Sequence, residues 1–193
     1  MSTHGRKVLY RTKVTDVKTS AEGDAEGVGT IRWEGEKCYR WVMNYETGSL
    51  TAGMPVCYEI GLATAFYEAV HTPTTANLNT FAGICMGAIA TKGFGWIQIE
   101  GYHGSISVLA TNTTQAAGLI CYPLNTKSYL QSLQALSAVV SMVAASVSNT
   151  TIAQTATAAL SAIGVAPRVQ LAASITTGDA ASTIGGFIHC LTV

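Results

Sequence analysis

The sequence predicts a mainly β fold, an antiparallel barrel or sandwich, and three observations carry that expectation. Residues 81–110, FAGICMGAIATKGFGWIQIEGYHGSISVLA, are short apolar and β-branched runs cut by glycines. Within them Trp96-Ile97-Gln98-Ile99-Glu100 and Ser105-Ile106-Ser107-Val108-Leu109 alternate apolar and polar side chains, the period of a strand with one wet face. Gly101-Tyr102-His103-Gly104 lies between them and reads as a turn, so the stretch is expected to be a meander of at least three strands. Finally, 193 residues at 48% hydrophobic content is a length that all-β domains commonly reach as one unit. The expected organisation is an N-terminal arm over 1–20 and a single β-rich domain over 21–193, with an excursion around 126–161.

Taken in order, the first twenty residues mix basic and β-branched side chains. Lys7-Val8-Leu9-Tyr10-Arg11-Thr12-Lys13-Val14 suits either an edge strand, whose cations discourage stray pairing, or a terminal arm that orders only against a neighbouring subunit. Ala21-Glu22-Gly23-Asp24-Ala25-Glu26-Gly27 is an acidic glycine-rich loop without the ligand spacing of a calcium loop, and is expected to be a solvated turn. Two β-favouring runs, 30–34 and 37–43, flank Gly35-Glu36 as a hairpin. Trp33, Tyr39 and Trp41 on it read as cross-strand packing, or as a stacking platform for a carbohydrate. Residues 50–60 are a turn and a further strand, and Pro73 marks a surface loop.

Beyond the central meander, Leu119-Ile120-Cys121-Tyr122 is a short strand stopped by Pro123. Residues 126–147 admit two readings. Leu133, Leu136, Val140, Val143 and Val147 recur at helical spacing and would form an oligomer-contact seam, whereas 138–143 also suits a buried strand; the helix is preferred. Residues 148–161 are Thr/Ala-rich and low in complexity. The C-terminal Gly185-Gly186-Phe187-Ile188 weakly echoes Gly93-Phe94-Gly95-Trp96-Ile97, which suggests that the last strand closes the sheet.

Charge and chemistry narrow the function classes. The formal net charge is zero, so no basic stripe for nucleic acid and no membrane or polyanion partner is expected. Eight of the eleven Lys and Arg and nine of the eleven Asp and Glu lie within residues 1–70. The charge-poor remainder is the composition expected of a surface that faces other chains, hence of a homo-oligomer. The five cysteines, Cys38, Cys57, Cys85, Cys121 and Cys190, form no C-x-x-C pair and read as buried thiols in a reducing compartment. His4, His71, His103 and His189 are scattered without metal-site spacing, no nucleophile elbow or phosphate loop is present, and Glu100 with Asp179 has no glycosidase-like arrangement. No enzyme, cofactor or metal is therefore expected, and no signal peptide or membrane span is evident.

Four patches together carry a resemblance: Gly29-Thr30-Ile31-Arg32-Trp33-Glu34-Gly35 with Tyr39-Arg40-Trp41-Val42, Thr51-Ala52-Gly53-Met54-Pro55-Val56, Gly93-Phe94-Gly95-Trp96-Ile97-Gln98, and Gly186-Phe187-Ile188. They resemble the head decoration, or cement, proteins of tailed bacteriophages, with residues 126–161 unmatched. The resemblance implies a small β-rich protein, commonly a trimer, that binds the outer surface of the capsid and reinforces it, with the major capsid protein as partner. The contact residues expected from composition are Arg6, Lys7, Arg11, Lys13 and Lys18 toward the shell. The alternative is a tail or head fibre module that binds a host receptor or glycan through Trp33, Tyr39, Trp41 or Tyr102.

Overall fold

A single long strand, Phe94–Leu109, is the common member of almost everything else in the computed structural model, which describes residues 10–59, 68–74, 80–109, 118, 120–132, 168–171 and 181–189. In chain order the strands are β1 (Val17–Lys18), β2 (Ile31–Glu34), β3 (Lys37–Asn44), β4 (Pro55–Tyr58), β5 (Ala69–His71), β6 (Phe81–Cys85), β7 (Phe94–Leu109), β8 (Ile120–Pro123), β9 (Leu130–Ser132), β10 (Arg168–Leu171) and β11 (Ala181–His189). They form one mixed sheet, in which β3–β5 and β7–β9 are parallel and the other pairs antiparallel. The fold is thus mainly β, as the alternating patterns predict, though not purely antiparallel.

The pairings close two rings that share β7. Over its first half, one edge of β7 takes β3, with Gln98 opposite Tyr39, while the other edge takes β6, with Gln98 opposite Ile84. β6 continues to β4, β4 to β5, and β5 back to β3. Over its second half, one edge of β7 takes β11 from Glu100 to Leu109 and the other meets β9 at Val108. β9 continues to β8, β8 to β10, and β10 to β11. Such closure leaves few sheet edges open, and each ring surrounds its own apolar cluster. Val42, Val56, Val70, Cys85, Ile97 and Ile99 belong to the first; Ile106, Val108, Cys121, Leu130 and Ile188 belong to the second. Strand β6 serves both, because Ala82 and Cys85 join the first cluster and Phe81 and Ile84 the second. Full burial of such side chains is worth roughly 1.5–3 kcal/mol each.

Several expectations are corrected by this arrangement. The Gly101–His103 stretch is not a turn between two strands, because β11 pairs with all three of its residues and, past a bulge at Gly104 and Ser105, with Ile106 to Leu109. Gly101 instead lets the strand bend, with φ at +91°, and any Cβ there would lie 2.5 Å from the Glu36 carbonyl oxygen of the β2–β3 turn. The expected wet face of 96–100 is also absent: Trp96 and Gln98 are as buried as Ile97 and Ile99, since the strand has partners on both edges and layers on both faces. Gln98 donates from Nε2 to the Glu100 carbonyl at 3.0 Å, while its Oε1 is buried without a hydrogen-bond partner among the described residues.

Residues 126–132 are a turn and β9 rather than the start of a helix, because Leu130 pairs with both Pro123 and Val108. The proposed seam residues Leu133, Leu136, Val140, Val143 and Val147 lie outside the described residues. At the other end, residues 10–16 form no strand, and only Val17 and Lys18 join the sheet, opposite Gly95 and Phe94. The β2–β3 hairpin forms as predicted, with Trp33 opposite Cys38 and Arg32 opposite Tyr39. Cys38, Cys57, Cys85 and Cys121 are free and buried, while Cys190 lies outside the described residues.

Candidate functional site

The N-terminal segment is fastened to the outer face of the first ring through a third aromatic cluster. Tyr39, Trp41 and Trp96 project outward from β3 and β7, and Tyr10, Val14 and Val28 pack over them. Trp41 and Trp96 meet edge to face at 5.2 Å between ring centroids, and Tyr10 meets Trp96 at 5.8 Å. Arg32 from β2 closes this layer, its guanidinium 4.7 Å from the Tyr10 ring centroid and 5.7 Å from that of Trp96.

Thr12 is the anchor of the segment. Its Oγ1 accepts from Trp96 Nε1 at 2.9 Å and donates to Glu26 Oε1 at 2.8 Å, its N–H donates to the same carboxylate oxygen, and its carbonyl accepts from Arg32 Nη1 at 2.6 Å. Asp24 does similar work from the acidic loop: it accepts from Trp41 Nε1 at 2.7 Å and from the N–H groups of Gly27 and Val28. The loop read as a solvated turn therefore uses two of its carboxylates to satisfy the core-side donors of Thr12 and Trp41, and Thr12 in turn accepts from Trp96. Glu22 remains outside, held down to about 2 by the Thr19 N–H, the Lys18 ammonium and the Thr19 hydroxyl.

This docking fixes where the predicted shell-contact cations point. Thr12 is buried and Val14 half-buried, whereas Arg11 and Lys13 alternate with them and are exposed. Lys18 is bound to Glu22 at 3.1 Å, within the same segment. Arg6 and Lys7 lie outside the described residues. Two of the five predicted cations thus stand on a fixed strip of surface, on a segment anchored like the rest of the core and not as a free arm.

The predicted stacking platform is dismantled by the packing. Tyr39 is 3% exposed and Trp41 fully buried, so both are cross-strand packing residues, while Trp33 is 58% exposed. Tyr102 is exposed and forms an edge-to-face pair with Phe187 of β11, 5.5 Å between centroids, with Lys37 Nζ 6.0 Å from the Tyr102 ring. Residue type alone does not mark Phe187 as a surface residue, yet it is exposed. The signal lies in its register opposite Tyr102, which only the β7–β11 pairing reveals.

The titratable groups are dispersed. His71 Nε2 lies 3.3 Å from Glu59 Oε2 beside β4 and β5, His103 sits in β7, and His4 lies outside the described residues. His103 is buried, accepts the Ser105 N–H on Nδ1 at 3.1 Å, and is pushed down to about 4 by desolvation and then by Lys37. Burial raises the thiols of Cys38 to about 11 and of Cys85 and Cys121 to about 12, which removes the reactive thiolate. Glu100 lies within β7, and Asp179 lies outside the described residues. Among the described residues no group of three or more His, Cys, Asp or Glu is placed to hold a metal ion. No described helix is long and apolar enough to cross a membrane. Compared with known proteins, the chain matches no family model, no curated protein and no solved structure.

Proposed function

We propose that this chain is a non-enzymatic structural protein of a virus particle, a decoration or cement protein that binds the outer surface of the capsid and stabilises it. The observation that carries the proposal is the docked basic strip: Arg11 and Lys13 are presented to solvent by a segment that Thr12 and Val14 lock onto the Trp96 face. A cation held in place loses little conformational freedom on meeting a carboxylate, so a rigid strip binds a fixed acidic surface better than a loose tail does. The charge-poor sequence beyond residue 70 supports contact with neighbouring copies, a trimer on the reading above, and the major capsid protein is the partner proposed.

The test is the copy number in purified particles by quantitative mass spectrometry, followed by reconstitution of stripped particles with the variant Arg11→Glu/Lys13→Glu. A fixed ratio to the shell protein, with binding weakened tenfold or more by the double variant, is expected. Absence from particles overturns the proposal. A handful of copies per particle would favour a fibre module that binds a receptor or glycan. That second reading draws on the exposed Tyr102–Phe187 pair and Trp33, and predicts glycan-array binding that Tyr102→Ala abolishes without unfolding.

A further inference from the structure

We propose that β2 is a self-association edge: two copies of this chain join β2 to β2 about a two-fold axis, Trp33 facing Trp33 and each Arg32 facing Glu34 of the second copy. The contact is independent of the capsid reading. It concerns an edge of the first ring that borders Tyr10 of the N-terminal segment and carries Trp33, which the glycan reading also draws on.

Strand β2 ends the strand order and, among the described residues, pairs only with β3. The direction of its backbone groups follows from the ladder. Trp41 donates its N–H to the Thr30 carbonyl at 2.9 Å, so Thr30, Arg32 and Glu34 turn their peptide groups toward β3. Ile31 and Trp33 turn theirs outward, and the Ile31 carbonyl accordingly accepts the Tyr10 hydroxyl at 2.9 Å. Trp33 thus offers both a donor and an acceptor at the open edge.

Side chains give the same edge an apolar face. Ile31 is 40% and Trp33 58% exposed, and Trp33 is the most exposed large apolar side chain among the described residues. Ile31–Glu34 contains no lysine and no proline, and its shortness and its Arg32 and Glu34 are the protections it does have. Its one cation, Arg32, is drawn back over Tyr10 and Trp96 instead of projecting along the edge.

The occupant is chosen by charge complementarity. Arg32 and Glu34 share the face opposite Trp33 and are ion-paired within the chain. An antiparallel pairing centred on Trp33 sets Arg32 opposite Glu34 of the second copy and the reverse, merging two ion pairs into a ring of four alternating charges. Centring on Arg32 would oppose two guanidinium groups, and centring on Glu34 two carboxylates, both unfavourable for cross-strand neighbours. The Trp33-centred register also gives two reciprocal Trp33 N–H to Trp33 carbonyl bonds and an aromatic pair on the axis. A strand of four residues buries less than the roughly 1,200 Å² of a standard interface, so the pairing is weak in dilute solution and closes at two copies.

Sedimentation equilibrium of the full chain from about 10 μM to about 1 mM, the range suited to so small a contact, tests the proposal. A monomer–dimer equilibrium is expected, weakened at least tenfold by Trp33→Asp, a substitution at an exposed site that leaves the circular dichroism unchanged. Glu34→Arg and Arg32→Glu should each fail to self-associate yet pair when mixed, because only the mixed pair restores both charge contacts. A monomer over the whole range, a higher oligomer indifferent to Trp33→Asp, or a Glu34→Arg variant that dimerises as well as the native chain each overturns it.

Discussion

Acid should loosen this protein through the burial of one residue, His103. His103 is 8% exposed in the middle of β7, and its Nδ1 accepts the Ser105 N–H at 3.1 Å, so the neutral ring carries its proton on Nε2. Protonation would place a second hydrogen on Nδ1, facing the Ser105 donor, in a site from which water is largely excluded and beside the Lys37 ammonium. The folded-state value is accordingly held down to about 4, against about 6.5 for an unfolded histidine. The unfolded chain therefore binds the extra proton over this window and the folded chain does not, so stability is full above the unfolded value and falls as the pH drops toward 4. The difference of roughly 2.5 units corresponds to about 3 kcal/mol, or a factor of roughly 300 in the folding equilibrium. Glu22 contributes in a lower window, between its ordinary value of 4.5 and its folded value of about 2, so the two are separable. Urea unfolding of the native chain and of His103→Asn, whose Oδ1 can still accept from Ser105, should be measured from pH 4 to pH 8. The native chain is expected to lose about 3 kcal/mol relative to the variant on going from pH 7 to pH 4. Parallel stability profiles, or an imidazole resonance of His103 that titrates near 6.5, would refute the reasoning.

Three further outcomes follow from the packing. Truncation of residues 1–14 removes Thr12 and Tyr10 from Trp96, leaves the Glu26 carboxylate and the Trp96 Nε1 without Thr12, and takes from Arg32 its bond to the Thr12 carbonyl while its pair with Glu34 stays; a loss of about 4 kcal/mol is expected in chemical unfolding, so a truncation meant to test capsid binding must be checked for folding. Gly83→Ala places a Cβ against the Gln98 carbonyl oxygen at a residue with φ of +149°, and is expected to abolish accumulation of folded protein, whereas Gly104→Ala, with nothing within 4 Å of the added atom, should be tolerated; yield in the soluble fraction distinguishes them. The thiols of Cys38, Cys57, Cys85 and Cys121 are buried and their acid dissociation suppressed, so a thiol reagent at mildly alkaline pH should leave these four untouched until denaturant is added.

Local patterns proved readable where a residue answers to its chain neighbours, and unreadable where it answers to a distant strand. The hairpin of β2 and β3 is visible because Gly35-Glu36 separates two β-favouring runs, and the buried free cysteines because most of them sit in apolar runs. The continuity of β7 was hidden. Gly101 and Gly104 look like turn residues, and nothing near them announces that β11, some eighty positions later, lies alongside. The role of Thr12 was hidden for the same reason, since its hydroxyl is fixed by an indole eighty-four positions away. At the surface, the exposure of Trp33 and the burial of Trp41 cannot be separated by residue type. They differ because β3 has a strand on each edge and a layer on each face, while β2 stands at the margin.

The common strand also imposes a timetable on folding. Every partner that the first ring needs lies N-terminal to the midpoint of β7, so that ring can close once Glu100 has been synthesised. The second ring cannot close until β11, the last of the described strands, reaches the other half of the same strand. Between the two events the residues from Gly101 to Leu109 lack their β11 partner and offer Ile106 and Val108 to whatever apolar strand arrives first. In a crowded polysome that strand could belong to another nascent chain, which makes the interval between Glu100 and Ala181 the period in which this protein is most open to exchanging strands with its own copies.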